Sequence, residues 1–222
     1  MTKRPQALRF KTGGVRKVIH RTATAAECIG RLEPGVRVLG LTAGQFSAID
    51  ALEHMANELG GCEFRVSTWT TGLYDVDRAA ALVKNGDVKS VRMLLDRSTF
   101  EKSPQYAGPL IAALGTDAFR CMSIHAKITI AHGDRGAAVM RSSMNLNKNL
   151  RTEQFDIDVD DEIADWFAEW FDALWEESST SNDNQAIIQA VYDRFAALPP
   201  EDPAVVKRGG GRFKVPNPWL GV

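Results

Sequence analysis

Three short apolar runs set the frame of this chain. They are residues 36–42 (VRVLGLT), 62–70 (CEFRVSTWT) and 88–95 (VKSVRMLL). Each is rich in β-branched and apolar residues and bounded by turn formers, as a buried strand requires. Stretches of about ten residues with helical character lie between them. Ser47 can cap a helix over 48–59, which Gly60-Gly61 would end, and a second helix over 75–84 stops at Asn85-Gly86. A third, over 104–114, stops at Gly115. Strands alternating with helices of this length imply βαβ units: an α/β fold whose largely parallel sheet carries helices on both faces. The pattern then changes. Residues 119–131 read as one strand and 137–141 as its partner, joined by the turn His132-Gly133-Asp134-Arg135-Gly136, with a last strand over 155–159. That late pair is expected to be antiparallel, so the sheet is mixed.

Residues 162–177 (EIADWFAEWFDALWEE) repeat Ile163, Trp166, Phe167, Trp170, Phe171, Leu174 and Trp175 at helical spacing. The polar face of this helix is acidic, which anionic headgroups would repel, so packing on the sheet or on a second subunit is favoured over a membrane surface. A linker over 178–185 and a final helix over 186–198 follow. The organisation expected is a basic arm over 1–29, one domain over 30–178, and a linker, helix and basic tail over 179–222.

Charge is uneven along the chain although the net value is only -1. Lys3, Arg4, Arg9, Lys11, Arg16, Lys17 and Arg21 precede any acid, while 153–193 holds many acids and no Lys or Arg. Lys207, Arg208, Arg212 and Lys214 make the tail basic again. The ends could touch an anionic partner or simply form a solvated basic arm. No apolar run reaches the length of a membrane helix, and the first ten residues lack the apolar core of a secretory signal. Cys28, Cys62 and Cys121 form no pair pattern and read as small core residues, which suits a reducing cytoplasm. No His/Cys/Asp spacing suggests a metal site, and no glycine-rich nucleotide loop is present. No cofactor is expected.

The segment 125–155 carries the chemistry. His125 and Lys127, two apart on a strand, would share a face. An imidazole beside an ammonium group is awkward as decoration, since both resist burial, and natural as an anion site. The pair alone is a weak signal. Ser142-Ser143-Met144-Asn145 follows the next strand; its hydroxyl and amide could line a pocket, but by itself it reads first as a turn. Glu153 alone reads as a surface acid. His20 and His54 read as surface or structural residues.

Taken together, these residues resemble the phospholipase D superfamily motif: His-x-Lys, a few apolar residues, an Asp, a short strand, then Gly-Ser-x-Asn and a downstream acid. Here the run Asn145-Leu146-Asn147-Lys148-Asn149 precedes Glu153. Two positions depart from the pattern: His132 stands at the Asp and Ser142 at the Gly, with Asp134 a nearby substitute for the former. The resemblance implies a phospholipase D-like fold with one motif copy, spanning about residues 30–178. It further implies metal-independent phosphodiester cleavage through a phosphohistidine on His125. Lys127 and Asn145 would hold the phosphate oxygens, Ser143 would support the pocket, and Glu153 would orient a histidine. One motif copy implies a homodimer that brings two histidines to one phosphate. Nucleic acid, DNA above all, is the expected substrate, with Lys11, Arg16, Lys17, Lys148 and Arg151 as candidate contacts and no membrane partner. The alternative is a non-catalytic nucleic-acid-binding or assembly module that keeps the phosphate pocket.

Overall fold

A computed structural model describes residues 15–18, 24–69, 88–102, 104–146, 151–179 and 182–197. The helix expected over 75–84 and the basic tail lie outside the described residues, as does the arm apart from residues 15–18 and 24–29. The described strands are β1 (Val15–Val18), β2 (Arg37–Thr42), β3 (Cys62–Thr68), β4 (Val88–Asp96), β5 (Phe119–Met122), β6 (Ile128–Gly133), β7 (Gly136–Ser142) and β8 (Glu153–Asp158). The helices are α1 (Ala25–Ile29), α2 (Ala48–Leu59), α3 (Arg97–Lys102), α4 (Pro104–Leu114), α5 (Asp161–Ser179) and α6 (Asn182–Ala196), with a 3-10 turn at Thr116–Ala118.

The strands form one eight-stranded sheet in the order β1-β2-β8-β7-β6-β3-β4-β5. β1 with β2, β3 with β4, and β4 with β5 are parallel, as βαβ units demand. The meander β6-β7-β8 is inserted between β2 and β3 and is antiparallel at every pairing. The sheet is therefore mixed, and its parallel share is confined to the two flanks.

Alternate side chains supply two cores, one on each face. Met93, Leu95, Ala131, Ala138 and Met140 join α1, α2, α4 and α6 on one side. Leu94, Ile130 and Val139 meet Ile163, Ala164, Phe171 and Trp175 of α5 on the other. The tryptophan-bearing helix thus packs on the sheet, as its apolar spacing predicts. Between β2, β8 and β7, the carboxylate of Asp158 is only 4% exposed. Arg37 clamps it at 2.6 and 2.8 Å, and Arg141 reaches it from the other side. A buried carboxylate needs such pairing, and the pairing fixes the register of three strands.

α2 begins and ends where its sequence says. Ser47 and Asp50 form a reciprocal cap, and the chain leaves the helix at Gly60 with φ 71°. The β6–β7 hairpin then closes the helix end. Asp134 and Arg135 donate backbone N–H groups to Gly60 and Leu59, both at 2.9 Å, and the Arg135 guanidinium takes the carbonyls of Glu58 and Asn57. Gly133 makes this approach workable, since a Cβ there would lie 2.6 Å from the Leu59 oxygen.

Three expectations need correction. The strand read over 119–131 is two strands, broken at 123–127. Its halves belong to positions three strands apart, and one continuous strand cannot reach both. The turn read over 132–136 is shorter: Gly133 pairs with Gly136 and only Asp134-Arg135 turn. The linker read over 178–185 is helical at both ends, because α5 runs to Ser179 and α6 starts at Asn182. Short helices α1 and α3 had no clear period in the sequence; α1 is held instead by a capping box between Thr24 and Glu27.

α6 is tied to the sheet edge by one side chain. Asn184, 5% exposed, accepts the Cys121 N–H at 3.0 Å and donates to the Cys121 carbonyl at 2.6 Å. Replacing it removes two hydrogen bonds from buried backbone at the sheet edge. Asn184→Ala is expected to lose about 3 kcal/mol of stability, measured by urea unfolding, whereas the exposed Gln189→Ala should fall within about 0.5 kcal/mol of the parent.

Candidate active site

Strands β3, β4 and β5 run the same way, and β6 returns against β3. The chain leaves β5 at the sheet edge and enters β6 three positions in. At ~4.8 Å per strand it must cover roughly 14 Å in the five residues 123–127. It therefore crosses the carboxyl ends of β4 and β3 in extended form. In open α/β sheets the carboxyl ends of strands are where ligands bind. His125 and Lys127 ride on this crossing.

Side chains hold the crossing in place of a strand ladder. Asp96, the last residue of β4, accepts the Ile124 N–H at 3.0 Å on one oxygen, and both the N–H and the hydroxyl of Ser98 on the other. Ser67 of β3 accepts the Ile128 N–H at 3.3 Å. On the far side, Ser142 donates its N–H to the Lys127 carbonyl at 3.0 Å, which carries the β6–β7 ladder one step further.

His125 is exposed. The Lys127 ammonium stands 3.2 and 3.3 Å from its two ring nitrogens and donates to the His125 carbonyl at 2.8 Å. A neutral imidazole offers a single lone pair, so the ammonium donates to one ring nitrogen at a time. The side-by-side placement expected from the sequence is present, on the extended crossing rather than within a strand. Burial draws the Lys127 pKa below the ordinary lysine value, against the opposing pull of Glu153 and Asp96. Burial acts to raise the Asp96 pKa, but the Ser98 and Ile124 hydrogen bonds and the charge of His125 outweigh it, so the carboxyl sits below its ordinary value.

Ser143 and Glu153 meet at the adjoining strand ends. The Ser143 hydroxyl donates to the Glu153 carboxylate and accepts the Gln154 N–H at 3.0 Å. Glu153 opens β8 and lies opposite Thr42 at the end of β2. Its charge acts on Lys127, which links this pair to His125. Asn145 is partly buried, and its carbonyl oxygen is fully enclosed without a hydrogen-bond partner.

Sequence reasoning missed three residues. Trp69 lies with its ring centroid 5.5 Å from that of His125, and Asp96 and Ser98 brace the crossing. Their signal was positional: Asp96 and Ser98 follow the strand read over 88–95, and Trp69 stands near the end of the one read over 62–70. His132 lies at the other end of β6, roughly 13 Å from Ile128 at ~3.3 Å per residue. There it pairs with Asp165 at 2.9 Å and approaches Arg65 at 3.3 Å. His54 is buried and bonds the Gly30 carbonyl at 2.7 Å. Of the candidate nucleic-acid contacts, Arg151 is exposed, and Arg16 and Lys17 lie in β1, in register with Val38 and Leu39. Lys11 and Lys148 lie outside the described residues. Among the described residues no cluster of His, Cys, Asp or Glu could hold a metal ion, and no helix is long and apolar enough to cross a membrane.

The sequence matches no family model and no curated protein. Solved structures offer partial likenesses. Nuc, a phospholipase D family member from Salmonella typhimurium, is 18% identical with a TM-score of 0.45, over 63% of this chain and 93% of that one. NucT from Helicobacter pylori is 14% identical with a TM-score of 0.44, over 63% of this chain and 96% of its own. TrmBL2, an archaeal chromatin protein with a novel mode of DNA binding, is 16% identical with a TM-score of 0.43, over 63% and 53%. What this chain does has to be read from its side chains.

Asp96 offers a direct test of how the crossing is held. Asp96→Asn keeps one acceptor oxygen and turns an amide N–H₂ toward a backbone N–H, which is expected to cost roughly 2 kcal/mol at neutral pH. The folded-state carboxyl titrates below its unfolded value, so the parent's advantage is present above the unfolded pKa and fades as pH falls through the folded one. Urea unfolding of both proteins across that acid range should show the gap closing.

Proposed function

We propose that this chain is a metal-independent phosphodiesterase of the phospholipase D type that acts on nucleic acid through a covalent phosphohistidine. One observation carries the reading. An exposed imidazole and a partly buried ammonium group stand 3.2 to 3.3 Å apart at the carboxyl ends of the parallel strands. Two such groups repel when both are charged, and an anion between or above them removes that penalty. Ser143 and Glu153 are tied together at the next strand end, and the Glu153 charge acts on Lys127.

In this reading a ring nitrogen of neutral His125 attacks phosphorus as the P–O bond to the leaving strand breaks. Lys127 and the Asn145 amide hold the non-bridging oxygens, where charge develops in the transition state. The enclosed oxygen of the Asn145 amide, without a hydrogen-bond partner among the described residues, supports a functional role for this amide. A second histidine donates a proton to the leaving oxygen, then takes one from the water that attacks the phosphohistidine and frees His125. Glu153 orients a histidine ring, while Ser143 steadies Glu153.

The second histidine is His125 of the partner subunit in a two-fold dimer. Among the described residues, His54 is buried on the Gly30 carbonyl and His132 is hydrogen-bonded to Asp165 at the other end of β6, which supports a donor from outside the chain. The change from Asp to His at position 132 falls away from the phosphate pocket, so it does not argue against activity. Basic residues Lys11, Arg16, Lys17, Lys148 and Arg151 would track the polyanion.

Plasmid and single-stranded DNA incubated in EDTA should be cleaved, with loss by a factor on the order of 10³ or more in His125→Ala. Binding without cleavage across DNA and RNA substrates would favour the non-catalytic module, and a strictly monomeric protein that cleaves would sink the dimer. The pH profile gives a second test. Lys127 works protonated and loses its proton below the ordinary lysine pKa, so the alkaline limb of kcat/KM should fall below that value. Lys127→Arg should be slower yet extend the active range to higher pH, because arginine keeps its charge.

A further inference from the structure

We propose that Trp69 is a nucleobase-stacking subsite beside the phosphate pocket, so that the strand taken by this site presents an unpaired base there. This rests on the phosphodiesterase reading for the identity of the pocket. Trp69 follows the last residue of β3 and is 42% exposed, although large apolar rings are ordinarily withdrawn into a core. Its ring is exposed yet fixed. The indole N–H donates to the Ser98 hydroxyl at 3.1 Å, that hydroxyl is bound to Asp96, and the Trp69 carbonyl accepts the Thr99 hydroxyl. Asp96 also holds the crossing through Ile124. One hydrogen-bonded group therefore positions both the aromatic ring and the backbone that bears His125.

The ring centroid lies 5.5 Å from that of His125, at an interplanar angle of 43°, and 5.9 Å from the Lys127 ammonium. A phosphate held by His125 and Lys127 has its own nucleoside one sugar away. An exposed, immobilised indole at that range meets a base face at little further ordering cost. Stacking of bases on aromatic side chains tolerates any sequence, because every base has a π face. In an intact duplex both faces of a base are covered by its neighbours, and extruding it costs a few kcal/mol. The subsite thus selects single strands, loops and frayed ends over continuous duplex, and reads no particular base. Trp69 acts here as a specificity residue, separate from the groups that touch phosphorus.

Binding of dye-labelled oligodeoxyadenylate is compared with binding of an abasic strand of equal length, in the full chain and in Trp69→Leu and Trp69→Phe. Leu keeps apolar bulk without a π face, and Phe keeps the face without the indole donor. The parent should prefer the base-bearing strand; Trp69→Leu should lose about tenfold on that strand and change little on the abasic one, and Trp69→Phe should retain most of the preference. Equal loss on both strands marks Trp69 as a wall for His125 and overturns the proposal. So does a parent that binds the two strands alike, whatever the variants do. Cleavage in EDTA is scored alongside. Base-dependent binding without cleavage supports the subsite while the phosphodiesterase reading fails, and cleavage without base dependence leaves that reading intact and removes the subsite.

Discussion

The site exists because the chain has to travel from β5, at the edge of the sheet, to β6, three positions inward, with only residues 123–127 to do it. A path that short over the strand ends must be extended and lacks the two flanking ladders an interior strand enjoys. Its polar backbone needs other partners, since unpaired N–H and C=O groups are costly where water is scarce. Asp96 and Ser67 supply them from the ends of β4 and β3, and Ser142 from β7. The same geometry gathers Trp69, Ser98, Ser143 and Glu153, each of which lies at or just past a strand terminus on that edge.

The charges around the crossing are arranged in opposition. Lys127 is drawn toward neutrality by burial and held toward its charged form by Glu153 and Asp96. Asp96 in turn stays ionised because three donors and His125 face it. A cationic group balanced in this way responds strongly to an arriving anion, since burial has already stripped part of its hydration. The opposite end of the sheet is organised differently. There Arg65 and Arg92 share Asp172 and Lys89 pairs with Asp134, so these positive charges already have acidic partners. That end offers little to a phosphate.

Much of the fold was legible where local chemistry decides it. α2 could be bounded from Ser47 and Gly60, and β4 from its apolar run, because caps and glycine stops act over a few residues. The break at 123–127 was not legible. Ser123-Ile124-His125-Ala126-Lys127 contains no Gly or Pro, and only the placement of β5 and β6 in the sheet forces the strand apart. The site divides the same way. His125, Lys127, Ser143, Asn145 and Glu153 share one stretch of chain whose order could be read as a pattern. Trp69 and Asp96 come from strands far back in the sequence and reach His125 only through parallel pairing, which no local signal records.

Asp96 and Ser67 fix the backbone on either side of His125 and Lys127 without belonging to the proposed reacting group. Position and reactivity are thus encoded at separate addresses in the chain. A lineage that exchanges the bracing residues can retune where the proposed nucleophile points while His125 itself stays unchanged. The converse also holds. A descendant that has lost its histidine would inherit a shaped, positively charged ledge, ready to be kept for holding rather than cutting.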